Sequence, residues 1–362
     1  MSLAQRCASL LMVGFPGTAP DDEVKRLIDG GVMGVILFKR NVGAPGDTAS
    51  LIAQLKRHAG RPLCAAVDQE GGRVARLRGA PFTNLPPMRE LGHRGDEALC
   101  ERTGQLLAHE VRAVGFDWDF APVLDVDTNP KNPVIGDRSF HQTPERVAAL
   151  GVALARGMEA GGVASCAKHF PGHGDTEKDS HLDLPRLAHG LDRLRKVELV
   201  PFGAYAKAGL ASVMTAHVIF DALDPGVPAT MSARSLGLLR EELGFRGVLV
   251  SDDLEMKAIA EHFKVEEAIV RSLQAGCDLF LVCHKAEVQR RCIEALVKAV
   301  ESGRVSEQRL EEARSRVAAL MTKFVRGPED RVGELASAAH LELARGLDAQ
   351  SVAGRDPTES LS

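Results

Sequence analysis

The stretch FRGVLVSDDLEM, residues 245–256, carries the pattern that decides the fold. An uninterrupted apolar run ends in two acidic residues, and sequence of helical character follows. A run without polar alternation is typical of a strand buried on both faces, as in a parallel sheet. We therefore expect a parallel β-strand here, with Asp252 and Asp253 at its carboxyl end.

The same pattern occurs seven more times along the 362 residues. The other runs are 9–17, 31–41, 62–72, 116–127, 161–174, 211–220 and 275–284. Helical segments separate them; one covers 144–162 and stops at two glycines, and another follows Ser232, a suitable N-cap. Eight strand–helix units favour an α/β fold with a single (β/α)8, or TIM, barrel over the alternative, an open doubly wound sheet.

The chain is predicted to consist of this barrel and a C-terminal helical extension. We assign residues 1–325 to the catalytic barrel, whose end carries a helix over 307–324 that packs on it. Residues 326–362 form the extension. Its end, residues 353–362, is small and polar, a composition that predicts disorder.

Composition limits the partners and the compartment. The net charge of −4 and the lack of a basic stripe argue against nucleic acid or an anionic membrane as a partner. The seven cysteines form no C-x-x-C pair and are expected to be reduced thiols in the core. The apolar run Leu10–Phe15 is too short for a signal peptide or a membrane span. We expect a soluble, cytoplasmic monomer that acts on a small molecule.

Polar side chains follow most of the apolar runs. In a barrel, the carboxyl ends of all strands meet at one face, where active sites lie. We therefore predict an active site at this face. The residues at the predicted strand ends are Lys39, Arg40, Asn41, Asp68, Glu70, Asp125, Asp127, Lys168, His169, His217, Asp252, Asp253 and His284.

The densest segment of polar residues, KHFPGHGDTEKDSH, runs from 168 to 181. Its prolines and glycines predict a loop rather than a helix. Asp179 and His181 face the same way in an extended chain, so they form a candidate general acid/base dyad, although an incidental ion pair in a loop remains equally open. Zinc is not expected at His169, His173 and His181, because the sequence between the first two is not helical.

Asp252 and Asp253 are adjacent on a strand and point to opposite faces. One of them is therefore expected to face the site as a nucleophile, a base or a hydroxyl acceptor. The spacing leaves open which one, and it leaves open that both cap the following helix. Aromatic residues make up 4% of the chain, which favours a pocket for a small sugar over a long polysaccharide groove.

Six motifs resemble those of glycoside hydrolase family 3, and within it the bacterial β-N-acetylglucosaminidases of peptidoglycan recycling. They are VDQEGGRV (67–74), FAPVLDV (120–126), GDRSF (136–140), KHFPGHG with DSH (168–181), MTAHV (214–218) and VSDDLEM (250–256). The resemblance covers about residues 8–325, and Trp118 is a small departure from it.

The resemblance implies a retaining double displacement without a cofactor. Asp252 then matches the nucleophile, and His181, oriented by Asp179, matches the acid/base. Four further residues match those that hold N-acetylglucosamine: Asp68, Arg138, Lys168 and His169. The implied substrate is an N-acetylglucosamine–anhydromuramoyl fragment, with or without its peptide. A phosphorylase, a β-glucosidase and a catalytically inactive sugar-binding barrel are the alternatives.

Overall fold

Eight parallel strands close into a barrel in the computed structural model, which describes residues 1–177, 184–329, 331–335, 337–347 and 356–358. The strands are β1 (Leu11–Val13), β2 (Gly34–Ile36), β3 (Cys64–Val67), β4 (Trp118–Asp119), β5 (Cys166–Phe170), β6 (Ser212–Thr215), β7 (Val248–Asp253) and β8 (Leu279–Val282). Each lies within one of the eight predicted runs. Their order in the sheet is β4-β3-β2-β1-β8-β7-β6-β5.

The two outer strands of that order also pair with each other. Trp118 forms a parallel bridge with Ala164, and Val123 forms another with Lys168. The backbone N–H of Leu124 donates to the Lys168 carbonyl at 2.7 Å. These contacts close the sheet, so the predicted (β/α)8 barrel is confirmed and the open doubly wound sheet is wrong.

Helices cover the outside of the barrel. They are α1 (Leu3–Ala8), α2 (Asp22–Gly30), α3 (Pro45–Ala59), α4 (Met88–Arg94), α5 (Glu97–Ala113), α6 (Pro144–Ala160), α7 (Leu191–Lys196), α8 (Leu199–Lys207), α9 (Ala233–Gly237), α10 (Lys257–Ala260), α11 (Val265–Ala275), α12 (Ala286–Glu301), α13 (Glu307–Phe324) and α14 (Ala338–Gly346). The Ser232 side chain accepts from the Ser235 N–H and caps α9, as predicted. Among the described residues, no helix combines the length and the apolar character that crossing a membrane requires.

The barrel interior is apolar and closely packed. Trp118 is fully buried, its indole N–H donates to the Ser212 hydroxyl at 3.0 Å, and its ring meets Phe120 edge-on. The departure from the family motif at Trp118 is therefore accommodated within the core. All seven cysteines are buried and unpaired, which agrees with the prediction of core thiols.

The C-terminal extension lies partly outside the described residues. Helix α13 matches the predicted helix over 307–324, and one face of it, which includes Leu310 and Phe324, is buried. Of the stretch predicted to be disordered, residues 353–355 and 359–362 lie outside the described residues, so disorder stays a prediction there. Residues 356–358 are described and contact the barrel.

Helices α5 and α6 cross at two glycines. A Cβ added at Gly104 would lie 2.0 Å from the Leu154 carbonyl oxygen, and one at Gly157 would lie 2.0 Å from the Glu101 carbonyl oxygen. Neither site has a flexible side chain that moves aside, because the clashing atoms are backbone. The two helices can approach this closely only while both positions lack a side chain.

We expect Gly157→Ala to lower the free energy of unfolding by about 1–3 kcal/mol, because overpacking strains the helix crossing. Gly46→Ala is the matched control: it lies in α3 with no heavy atom near the added Cβ, and should be neutral or stabilising by up to about 1 kcal/mol. Urea unfolding of both variants measures the difference. Equal stability of the two would contradict the close crossing.

Candidate active site

A small pocket opens at the carboxyl ends of the barrel strands. The polar residues that line it are Asp68, Arg76, Arg138, Lys168, His169, Asp252, Asp253 and Thr358, and apolar walls come from Ile36, Phe38, Phe120, Met214, Leu281 and Cys283. All four predicted sugar-binding residues are among them, together with the predicted nucleophile. Arg76 and Thr358 were not predicted from the sequence.

Glu70 lies outside the pocket lining and binds two of the cationic side chains that form it. Its carboxylate accepts two hydrogen bonds from Arg138, from Nε at 2.9 Å and from Nη2 at 2.8 Å. The ammonium of Lys168 lies 2.6 Å from Glu70 Oε1 and donates to Asp68 at 2.9 Å. One buried carboxylate thus holds two of the predicted sugar ligands, and a bidentate pair fixes the plane of the guanidinium.

The protonation states of this cluster follow from its burial and its charges. Burial acts to raise the pKa of Glu70, but the nearby Arg138 and Lys168 outweigh it, so the pKa lies far below the usual range. Burial acts to lower the pKa of Lys168, but Asp68 and Glu70 raise it above its ordinary value. At neutral pH Glu70 is therefore ionised and Lys168 is protonated, and the two charges face each other at 2.6 Å.

Arg76 reaches the pocket from a short hairpin that follows β3. The hairpin pairs 69–71 with 74–75, and the Gln69 side chain fixes it by accepting from the N–H groups of Arg76 and Leu77 at 2.9 Å. Arg76 Nη2 lies 3.3 Å from Asp68. The residues at the strand ends do not include Arg76, because it lies eight residues after Asp68. The hairpin brings its side chain to the pocket.

Asp125, fully buried beneath the pocket, positions His169. Its carboxylate accepts from the His169 ring nitrogen Nδ1 at 2.7 Å, from the His169 backbone N–H at 3.1 Å and from the His173 N–H at 2.6 Å. Burial acts to raise the pKa of Asp125, but His169 and the amide hydrogen bonds lower it overall. An ionised acceptor at Nδ1 fixes the orientation of the imidazole, as is usual for functional histidines.

Asp252 and Asp253 at the end of β7 both line the pocket, but they differ in their contacts and in their exposure. Asp253 Oδ1 accepts from the N–H groups of Cys283 at 3.2 Å and Glu255 at 3.1 Å, and Oδ2 lies 2.9 Å from His284 Nε2. Asp252 is half-buried at the pocket wall, and its Oδ1 accepts from the Asp253 N–H. Of the two carboxylates, Asp252 is the more accessible to a ligand.

His217 supports this strand end from the next strand. Its Nε2 donates to the Asp253 carbonyl at 3.0 Å, and its Nδ1 contacts the Thr230 hydroxyl at 2.8 Å. Burial lowers the pKa of His217, which favours the neutral ring. His217 therefore acts on the backbone of β7 and does not line the pocket.

Other polar residues at the strand ends stabilise loops and do not line the pocket. Arg40 donates to the Cys283 carbonyl at 2.8 Å, and Asn41 donates to the Phe15 carbonyl at 3.0 Å, which ties together the loops after β1, β2 and β8. Asp127 pairs with Arg89 at 2.6 Å. These residues, together with Lys39, lie outside the pocket lining, so part of the predicted polar face is structural.

The loop after β5 begins as a buried, well-held segment. Asn132 donates to the His173 carbonyl at 2.8 Å, and a Cβ at Gly174 would lie 1.8 Å from the Val126 carbonyl oxygen. Residues 168–170 of the segment predicted as a loop belong instead to β5, and residues 171–177 form a loop as predicted. The predicted dyad, Asp179 and His181, lies outside the described residues. Over the described part of the chain, no cluster of three or more metal-ligating side chains is found.

A larger groove of about 850 Å³ lies away from the strand ends, between α5 and α14. Its lining includes Arg102, His109, Arg331 and His340. It contains none of the motif residues that follow the barrel strands. The pocket around Lys168 is therefore the candidate active site.

The closed barrel and its small polar pocket define a (β/α)8-barrel enzyme. Residues 2–320 match the glycosyl hydrolase family 3 N-terminal domain, and the chain belongs to this family, as the motif resemblance implied. It is a glycoside hydrolase. A β-hexosaminidase of Thiobacillus denitrificans is 45% identical over 286 residues, which cover 77% of this chain and 79% of that protein.

Solved structures agree with this assignment. A family 3 β-N-acetylglucosaminidase from Paenibacillus sp. matches with a TM-score of 0.90 and 41% identity, over 96% of this chain and 68% of that one. NagZ from Neisseria gonorrhoeae, solved in complex with N-trifluoroacetyl-D-glucosamine, matches with a TM-score of 0.76 and 35% identity, over 93% of this chain and 96% of that one.

We expect Glu70→Gln to lower the free energy of unfolding by about 3–5 kcal/mol at pH 7, because it leaves two buried cations undercompensated. The folded-state pKa of Glu70 is depressed, so its contribution is present above the unfolded pKa of about 4.3 and is lost as the pH falls below it. Urea unfolding from pH 7 to pH 3 should show the gap between wild type and variant closing. Glu287→Gln, on the exposed face of α12, is the control and should stay within about 0.5 kcal/mol of wild type. A gap at pH 7 no larger than that of the control would contradict the role of Glu70.

Proposed function

We propose that this chain is a retaining β-N-acetylglucosaminidase that removes terminal β-linked N-acetylglucosamine from N-acetylglucosamine–anhydromuramoyl fragments, with or without their peptide. The observation that carries the proposal is the position of Asp252. It stands at the pocket wall on the end of β7, while the carboxylate of Asp253 is engaged by Cys283, Glu255 and His284.

The pocket chemistry suits a small, uncharged, hydroxyl-rich ligand. Arg138 and Lys168 are fixed donors, Asp68 is an acceptor, and the His169 ring is held in place by Asp125. Acidic and basic side chains both line the pocket, so it offers acceptors as well as donors to the hydroxyl groups of a neutral sugar. The Neisseria gonorrhoeae NagZ structure contains an N-acylated glucosamine, which supports the same sugar class for this pocket.

The proposed reaction has two displacements. In the first, a carboxylate oxygen of Asp252 bonds to the anomeric carbon while the glycosidic C–O bond breaks and His181 gives its proton to the leaving oxygen. In the second, His181 takes a proton from water, the water oxygen bonds to the anomeric carbon, and Asp252 is released. Asp179 orients the imidazole and stabilises its protonated form.

Transfer to phosphate is the second candidate reaction. A neutral imidazole repels an incoming phosphate less than a carboxylate does, so a histidine acid/base suits both acceptors. Turnover of a chromogenic β-N-acetylglucosaminide with and without inorganic phosphate separates the two. Hydrolysis predicts free N-acetylglucosamine at the same rate in both; a sugar 1-phosphate as product would establish a phosphorylase.

We expect Asp252→Ala to lower kcat by ~10³-fold or more, because it removes the nucleophile. Asp253→Asn is the matched control: its remaining carbonyl oxygen can still accept from the two backbone N–H groups, so it should keep most of its activity. The measurement is steady-state hydrolysis of the chromogenic β-N-acetylglucosaminide. Azide should partly restore sugar release by Asp252→Ala and yield the α-glycosyl azide.

The reverse ranking, with Asp253→Asn inactive and Asp252→Ala active, would move the nucleophile to Asp253. A second comparison tests the specificity for the sugar. The matching β-glucoside should be cleaved far more slowly than the β-N-acetylglucosaminide, and equal rates would contradict the proposed sugar.

A further inference from the structure

Residues 356–358 of the C-terminal extension contact the candidate sugar pocket: Thr358 is part of its lining, and Asp356 binds the lining residue Arg76. Arg76 Nη1 donates to the Asp356 carboxylate at 2.5 Å, and Nη2 donates to the Thr358 hydroxyl at 2.8 Å. Asp356 in turn accepts from the backbone N–H of Thr358 at 2.8 Å and from its hydroxyl at 2.6 Å. The three residues thus form a compact turn that presents one carboxylate and one hydroxyl to a single guanidinium.

This contact is buried. The side chain of Arg76 is 3% exposed and that of Asp356 is 9% exposed. Surface ion pairs contribute little and are common by chance, but burying two charges is costly unless their geometry and hydrogen bonds compensate. Arg76 also faces Asp68, one of the predicted sugar ligands, at 3.3 Å. The turn therefore engages the sugar-binding network itself.

The pocket that Thr358 helps to line has little space for a ligand. Thr358 forms part of the pocket wall, and the cavity that remains has a volume of about 40 Å³. Pockets that bind small molecules usually enclose about 300–1,000 Å³. A hexosamine needs more room than this pocket offers.

We propose that residues 356–358 are an intramolecular inhibitor that occupies the sugar pocket on Arg76 and must leave before the substrate binds. The proposal rests on the proposed function of that pocket. The Asp356 carboxylate and the Thr358 hydroxyl are oxygen acceptors for Arg76, as the hydroxyls of a sugar would be. Sugar and turn therefore compete for the same two N–H groups.

Competition of this kind has a defined kinetic form. When only a fraction of the molecules is open, the apparent dissociation constant of the ligand rises by the inverse of that fraction. Chemistry after binding is unaffected, because the turn is absent from the substrate complex. Weakening the turn should therefore lower KM and leave kcat unchanged.

The test compares Asp356→Asn, Thr358→Val and a chain that ends at Leu347 with wild type. Glu342→Gln is the matched control, since it removes an exposed carboxylate from the same extension without touching Arg76. We expect KM for the chromogenic β-N-acetylglucosaminide to fall between about twofold and tenfold in the three test variants, with kcat unchanged. Glu342→Gln should match wild type. Unchanged or higher KM values in all three would overturn the proposal.

A binding experiment tests the turn without any turnover. A synthetic peptide of residues 353–362 should bind the shortened chain by calorimetry and compete with its substrate, and the same peptide with asparagine at 356 should bind at least about tenfold more weakly. Equal binding of the two peptides, or none, would overturn the inhibitor. If the peptide binds but neither wild type nor any variant cleaves the glycoside, the proposed function is rejected, whereas binding of residues 356–358 to the pocket is supported.

Discussion

The pocket depends on one buried carboxylate, that of Glu70, which holds Arg138 and Lys168 in place. Arg138 lies in the loop after β4, and Lys168 lies in β5. The Glu70 carboxylate therefore connects these two elements at the site. Burying three charges is tolerated because their hydrogen bonds are short and nearly complete. Asp68 extends the same network to the pocket surface, where the ligand is expected.

Two further buried carboxylates, Asp125 and Asp253, hold neighbouring groups in place; Asp125 lies outside the pocket lining and Asp253 is part of it. Asp125 orders His169 and the start of the loop that leads toward residues 179 and 181. Asp253 ties the end of β7 to β8, so that its neighbour Asp252 stands at the wall. Asp125 and Asp253 thus hold the scaffold, whereas Asp252 is the proposed nucleophile.

The barrel was predictable because eight unbroken apolar runs, each followed by helical sequence, leave few other folds. The location of the site followed from polar residues at strand ends. The sequence pattern did not decide between Asp252 and Asp253. Adjacent residues of a strand point to opposite faces, and the pattern does not show which face points into the site. Arg76 was missed since a hairpin, held by the Gln69 side chain, brings it in from beyond the strand. The contact of Arg76 with Asp356 joins residues 280 positions apart, and no local pattern reports it.

The proposed mechanism requires Asp252 to form a covalent bond to the sugar. A slow substrate, 5-fluoro-N-acetylglucosaminyl fluoride in the β configuration, should accumulate that intermediate, and intact-protein mass spectrometry with peptide mapping locates it. We expect the mass to rise by one fluorinated N-acetylglucosaminyl group, attached at Asp252. A label at Asp253, or turnover with retained configuration and no covalent adduct, would contradict the assignment.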